Sequence, residues 1–550
     1  MEQRTTLALI LSFLVIMLYQ VYLSVFFPPE EEAAVEQTQS STINQAAPGG
    51  NPPSLANAPA SPAAPVAAPV AAPAGPPVTP KNENSKVVTF ANGVVEGKVN
   101  TLGGRLTGLR FLQYKDHLGA DGKPVVFMQE AGENFFVGES GFISLPGIVV
   151  PNRETLWQQA DFQGKDGENG IRLVWDNKAG LTFEKSFVVA KGSYLITVRD
   201  RVVNTASQPT PLYRFQQLLR IPPKVEGDMY DFQGPTAFLD DNRLQLPYDD
   251  IKAKEVSQNA KKGWAGFSDK YFLAAMIPHS DGQISYKYYF DYDAPTHRIG
   301  AVSQQIAVAA NGQYESVEQW YIGPKALEIL ESLKLGLERS IDYGWFHFLA
   351  VPLMELLLFF YSIIGNYGVA ITLLTLVVKV LFFPLADKSY RSMEEMKQLQ
   401  PKVEELRKNY GHDKQLMNQE MMRLYQENKV NPLGGCLPML IQIPVFFALY
   451  KILYLSIEMR HAPLAGWIQD LSEMDPYYIL PLVMGVSMYY QTKLNPTPAD
   501  PVQAKVMQFL PIVFTFMFLT FPSGLVLYWL VNNILSIAQQ LHIHKKYKKA

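Results

Sequence analysis

Apolar residues are distributed along this chain in two distinct ways. Uncharged runs long enough to cross a bilayer occur near both ends, and a stretch of strand-like alternation lies between them. Leu7 to Phe27 carries no charge, and Pro28-Pro29 and then Glu30-Glu31-Glu32 follow it. A secretory apolar region usually has only about 7–15 residues, and no small-residue cleavage site follows this one. The run is therefore expected to be an uncleaved transmembrane signal anchor over 7–27. Residues 1–6, with Arg4, are then cytoplasmic by the positive-inside bias.

Residues 28–80 repeat Ala-Ala-Pro around Ala63 to Pro73 and cannot build a core, so an extended periplasmic tether is expected. Strand grammar starts at 81. Ile284, Tyr286, Tyr288 and Phe290 alternate with polar neighbours, as do Ile196 and Val198, and clusters such as Asp166-Gly167-Glu168-Asn169-Gly170 read as turns. A large β-sandwich over 81–341 is expected. Leu327, Leu330, Leu333 and Leu337 predict a closing helix from Pro324 to Arg339.

The second membrane region offers spans at 366–386, 433–456, 476–492, 507–522 and 524–542. Trp345 to Ile364 is also long enough to cross, and charge arbitrates. Were it to span, the 387–432 loop with its nine Lys/Arg and the tail Lys545-Lys546-Tyr547-Lys548-Lys549 would both lie outside. Six spans keep them cytoplasmic and leave 457–475, with one Arg and four acidic residues, on the periplasmic side. The segment 342–365 is then an interfacial amphipathic helix, with His347 and Glu355 toward water. A cytoplasmic loop at 493–506 and a basic cytoplasmic tail at 543–550 complete this plan. Within 387–432, Met393, Met396, Leu399, Val403 and Leu406 predict one helix, Gly411-His412-Asp413 a turn, and Leu416, Glu420 and Leu424 a second helix. Pro401 should kink the first. The hairpin reads equally as a solvated pair or as a docking surface.

The net charge of −3 gives no nucleic-acid signal, and the sole cysteine, Cys436, excludes an internal disulfide framework and a CxxC pair. Enzyme signatures are absent. There is no HExxH or GxSxG, Gly93 to Val99 has the wrong spacing for a phosphate loop, and the eight histidines are scattered. No cofactor or metal is expected.

Lys379 is the informative residue. It lies in the otherwise uncharged Val369–Leu385, where insertion of an ionisable group costs about 2.5–3.5 kcal/mol. Snorkelling to the headgroups is one reading, and a water-exposed functional site the favoured one. Thr372, Thr375 and Lys379 share a helix face, and Trp529, Asn532 and Ser536 share another, with Gln540 beyond. Gln442 adds an amide. These faces could converge on a wet groove, or could simply bond helix to helix in a dry bundle. Pro438, Pro444, Pro481, Pro511 and Pro522 weaken the spans they occupy.

Asn431-Pro432-Leu433-Gly434-Gly435-Cys436-Leu437-Pro438-Met439-Leu440-Ile441-Gln442-Ile443-Pro444 resembles the signature of the YidC-type membrane protein insertases, as do Asp475-Pro476-Tyr477-Tyr478-Ile479-Leu480-Pro481 and Phe521-Pro522-Ser523-Gly524-Leu525. The resemblance covers essentially the whole chain and is strongest from 342 to 542. It implies a polytopic α-helical inner-membrane protein of six spans, with a five-helix core and a large periplasmic β-supersandwich. It also implies a hydrophilic groove open to cytoplasm and lipid. Lys379 stands where that family usually carries Arg, so any contact needing a bidentate fork is lost. Thr372, Thr375, Gln442, Asn532 and Ser536 would line the groove, and Pro438, Pro444, Tyr528 and Trp529 would contact the client. The implied partners are nascent membrane proteins, the Sec translocon, a ribosome or targeting factor at the hairpin and tail, and phospholipid. A small-solute transporter and an envelope carbohydrate-binding protein are the rival readings.

Overall fold

A computed structural model describes residues 82–224, 231–278, 285–428, 430, 437–495 and 501–548. The expected anchor and tether, and Asn431 to Cys436, lie outside the described residues.

Residues 87–324 form two nine-stranded antiparallel sheets. Thr210–Arg220 runs down the middle of the first, between Phe136–Ser144 and Thr296–Val308. In the second, Leu195–Asn204 lies between Leu181–Ala190 and Gly312–Pro324. Period-two alternation sorts their side chains. Ile196, Val198, Val202, Leu212, Leu218, Tyr286, Tyr288 and Phe290 are all buried, as the alternation predicts. Ile284 lies outside the described residues.

Charges interrupt the apolar layer between the sheets. Lys185, Asp200, Arg214 and Glu318 are at most 1 % exposed. Arg214 pairs with Glu318 and, at 3.3 Å, with Asp200, and Lys185 lies 3.7 Å from Asp200. Burial drives the Lys185 ammonium below its ordinary value despite the Asp200 and Glu139 carboxylates.

Two short helices flank the sheets, α1 (Tyr248–Ala253) and α2 (Leu327–Leu333). The closing helix expected over Pro324–Arg339 is thus shorter than its leucine spacing predicts. Lys334 and Gly336 adopt left-handed backbone (φ 55° and 72°), and Leu337–Ser340 resumes as a separate 3₁₀ turn. Leu327, Leu330 and Leu337 are still buried, so the apolar pattern records the packing and not the continuity of the helix.

Eight helices follow: α3 (His347–Ile364), α4 (Tyr367–Leu381), α5 (Phe383–Tyr410), α6 (Lys414–Glu427), α7 (Leu437–Leu455), α8 (Ile479–Leu494), α9 (Pro501–Phe518) and α10 (Ser523–Lys548). The segment expected to span at 366–386 is not one continuous helix. α4 ends at Leu381, and the chain bends by 67° into α5. Pro384 explains the break. It has no N–H to give to a carbonyl one turn back, yet it suits the first turn of a new helix. Lys379 lies two residues before the end of α4. The hairpin turn falls where expected, and Asp413 caps α6 by accepting from the Gln415 and Leu416 amides. Pro401 lies inside α5 without ending it.

The other helix ends also move. α8 starts at Ile479 because Asp475 accepts from the Tyr477 and Leu480 amides. α9 begins and ends before the expected 507–522, and α10 runs on through most of the expected tail. Among the described residues, Gly344–Ile364 is the only single helix both long and apolar enough to cross a membrane; the α4–α5 pair passes that test as one bent unit. Glu355 is exposed and His347 half-buried.

The sheets rest on the helices through a small junction. The Lys270 ammonium lies 3.8 Å over the Tyr454 ring, and Arg460 donates to the Asp116 carbonyl at 3.0 Å. Glu458 sits beneath the start of α2. Burial pushes its carboxyl up to about 7, against hydrogen bonds from its own and the Leu327 backbone amide, and Glu328 adds to the rise. A carboxyl raised in the folded state costs nothing below its ordinary value of 4.5, and the penalty appears as pH climbs through about 7. Glu458→Gln should therefore leave the thermal midpoint almost unchanged near about pH 4.5 and stabilise the protein by about 1–2 kcal/mol at about pH 8. A gain of equal size at both values would rule this account out.

Candidate functional site

Lys379, in the last turn of α4, donates from Nζ to Ser536 Oγ on α10 at 2.7 Å. Ser536 in turn donates to the Asn532 carbonyl at 2.7 Å. The Gln442 amide on α7 donates to Asn532 Oδ1 at 2.6 Å. Three helices far apart in sequence thus join one hydrogen-bonded chain. Lys379 makes no ion pair among the described residues, so a neutral hydroxyl is the partner its cation receives.

Tyr390 of α5 hydrogen-bonds the same Ser536. Together Tyr390, Gln442 and Asn532 stand between two cavities. A smaller one of about 50 Å³ is lined by Lys379, Val378, Phe382, Leu385 and Gln539. A larger one of about 280 Å³ is lined by Trp529, Phe446, Met488, Gln491, Met507 and Asn533. The first holds the cation, and the second is uncharged.

The predicted site residues fall into three groups. Lys379, Gln442, Asn532 and Ser536 meet in one hydrogen-bonded chain. Thr372 and Thr375 do not join them, because their hydroxyls donate to the Gly368 and Ile371 carbonyls one turn back, at 2.9 and 2.7 Å. Such internal bonds satisfy a threonine within its own helix. Trp529 lines the larger cavity, and its indole N–H has no partner there. Its ring packs edge-on against Phe446 at 4.8 Å and against Phe518 at 5.3 Å. Tyr528, expected to touch the client, is only 2 % exposed and hydrogen-bonds Gln442 inside the bundle. Pro444 is half-buried within α7, and Pro438 lies in its first turn.

Sequence reasoning missed Tyr390, Gln539 and Asn533. Gln539 follows Asn532 and Ser536 at i+7 and i+3, a spacing that the sequence displays. Gln540, beyond Ser536 on the same helix, reaches Asn495 just past the end of α8. Tyr390 carries no such signal, since only the bend at Phe382 brings α5 back across the cavity.

A β-sandwich set on apolar helices that enclose a polar, partitioned cavity defines a membrane protein with a large extramembrane domain. The 60Kd inner membrane protein family matches residues 359–550, and the YidC periplasmic domain matches residues 87–356. Membrane protein insertase YidC of Magnetococcus marinus is 50% identical over 99% of this chain and 99% of its own length. The protein of the same name from Ralstonia nicotianae is 40% identical over 99% and 97%. An active YidC insertase crystal structure with the first transmembrane domain resolved aligns with 83% of this chain and 92% of its own, at 19% identity and a TM-score of 0.36. This chain belongs to the YidC family of membrane protein insertases. The rival carbohydrate-binding and transporter readings give way to that finding.

Proposed function

We propose that this protein inserts integral membrane proteins into the bacterial inner membrane and assists their folding, with Lys379 as the polar anchor of the path. The carrying observation is a lysine at a helix–helix cavity that receives a hydroxyl and no carboxylate. A cation left without a counter-charge in an apolar bundle is available to an acidic or polar client segment. The cavity supplies groups that stand in for water, so the client's polar end crosses less bare hydrocarbon. Partition of the apolar segment into lipid drives the transfer, and no bond is made or broken.

In this reading the chain spans the membrane six times, with both termini and the α5–α6 hairpin in the cytoplasm and the β domain in the periplasm. The hairpin receives a ribosome or targeting factor, and the Sec translocon is the partner for larger clients. Thr372 and Thr375 support the α4 backbone, while Trp529 and Pro444 flank the client's apolar segment.

Purified protein in liposomes should insert a small single-span protein with a short acidic exported end, scored by protease protection without ATP. Lys379→Ala should slow insertion by about tenfold, equivalent to about 1.4 kcal/mol, and Lys379→Arg should retain it. Equal insertion by the alanine variant would reduce Lys379 to a snorkelling residue.

A further inference from the structure

A second opening lies where the β domain meets the loop 457–475. It encloses about 500 Å³. Most of its polar groups are already paired. His117 bonds Asp116, His461 lies 3.9 Å from Asp470, and the Asp470 carboxylate accepts from Ser472. These bonds hold the walls in place. Asp116 and Asp470 are thus held by hydrogen bonds and imidazoles, whereas Arg460 and Glu473 have no polar side-chain partner among the described residues. Arg460 donates to a backbone carbonyl and lies over the Tyr271 ring at 5.9 Å, with no carboxylate in ion-pair range among the described residues. Glu473 lines the same cavity, and its exposed carboxylate has no ion pair among the described residues. A cation and an anion that lack a polar side-chain partner in one opening complement a zwitterion.

The mouth is apolar. Leu118, Trp467 and Met474 line it while remaining 46%, 41% and 48% exposed. Tyr477 is exposed as well, and Ile479, Leu482 and Val486 are exposed at helical spacing on one flank of α8. A ligand with a charged head in the cavity can lay a hydrocarbon tail along that flank. The aromatic Trp467, Tyr477 and Tyr478 suit the depth at which headgroups lie.

We infer that this cavity binds the headgroup of a phospholipid bearing both a phosphate and a primary ammonium, with the phosphate on Arg460 and the ammonium on Glu473. The inference rests on the six-span reading, which places loop 457–475 at the outer surface of the membrane. Arginine pairs with phosphate oxygens through two parallel N–H groups, and a primary ammonium can donate to a carboxylate. A trimethylated ammonium keeps its charge but has no N–H to donate. The bound lipid would brace the β domain against the helices, since Arg460 also holds the Asp116 carbonyl.

The test uses the full chain, delipidated in detergent and offered phosphatidylethanolamine, phosphatidylcholine or phosphatidylglycerol. Retained lipid is counted by native mass spectrometry. Phosphatidylethanolamine should be retained about fivefold over each of the others. Glu473→Gln should abolish that preference while phosphatidylglycerol is still held. Arg460→Gln should release all three, and Arg460→Lys should restore part of the binding, which separates a lost charge from a lost fold. Lys123→Gln, an exposed change in the β domain, should behave like the original. Equal retention of all three lipids by the original protein would overturn the inference. So would unchanged retention in both the Glu473 and Arg460 variants, or capture of a client's amino terminus, and no lipid, by a photocrosslinker at position 473. Insertion dependent on Lys379 is scored separately, so a failure here leaves the insertase reading standing, and failure there leaves lipid binding measurable.

Discussion

Glu318→Ala should destabilise the β domain by about 3–5 kcal/mol, enough to unfold much of it at growth temperature. Glu318 is fully buried and receives the Arg214 guanidinium, the Tyr286 hydroxyl at 3.1 Å, the Ser316 hydroxyl at 2.9 Å and the Gln216 amide at 3.4 Å. Alanine leaves those donors without an acceptor and leaves a guanidinium between the sheets with Asp200 only. The four charges of this layer, Lys185, Arg214, Asp200 and Glu318, sum to zero, so removing one strands another. Glu318→Gln keeps hydrogen-bonding atoms but not the charge, and should cost less. Replacing Glu318 and Arg214 together by apolar residues of similar volume should recover most of the loss, because the desolvation penalty leaves with the pair. Thermal unfolding of the full chain, followed by its β-sheet circular dichroism, measures all three. A double variant as unstable as Glu318→Ala would show that shape, and not charge balance, governs this layer.

Gly485→Leu should separate α8 from α9 and lower the yield of protease-resistant protein by about tenfold, an overpacking cost of about 1–3 kcal/mol. A Cβ at Gly485 would overlap the Thr515 hydroxyl and come within 3.0 Å of both other carbons of that side chain. Thr515 is branched at Cβ and its hydroxyl already donates to the Pro511 carbonyl at 2.6 Å, so no free rotamer relieves the clash. The two helices also carry opposite walls of the larger cavity, Met488 and Gln491 on one and Met507 and Leu510 on the other. Insertion should therefore fall along with stability. Thr515→Ala in the same chain should restore both, since the two sites are in contact and couple. Failure of that rescue would place the defect within α8 alone.

The insertion signature and the polar residues in the helices were legible in the sequence because both are local facts. Lys379 is conspicuous since nothing else in Val369–Leu385 is charged, and the spacing of Asn532 and Ser536 puts them on one face. Their convergence on Gln442 was only one of two open outcomes, because spacing fixes a face but not what the face meets. The threonines show the limit. Thr375 shares the face of Lys379, yet is 1 % exposed and bonds its own helix. A hydroxyl one turn above a carbonyl can always be satisfied internally, and only packing reveals which bond it takes.

The order of strands followed by helices follows from composition and periodicity, which act over short ranges and can be read without a fold. Alternation also placed Ile196, Val198, Tyr286 and Phe290 inside the sandwich. The charged layer between the sheets, the partition of the cavity by Tyr390 and the opening beside Arg460 came from tertiary structure alone. Each joins residues far apart in sequence: Arg214 with Glu318, Tyr390 with Ser536, Arg460 with Asp116. Such pairings depend on how rigid elements are set against one another. A single bend at Phe382, governed by Pro384, redirects the whole of α5, and the pattern of polar and apolar positions records no trace of that angle.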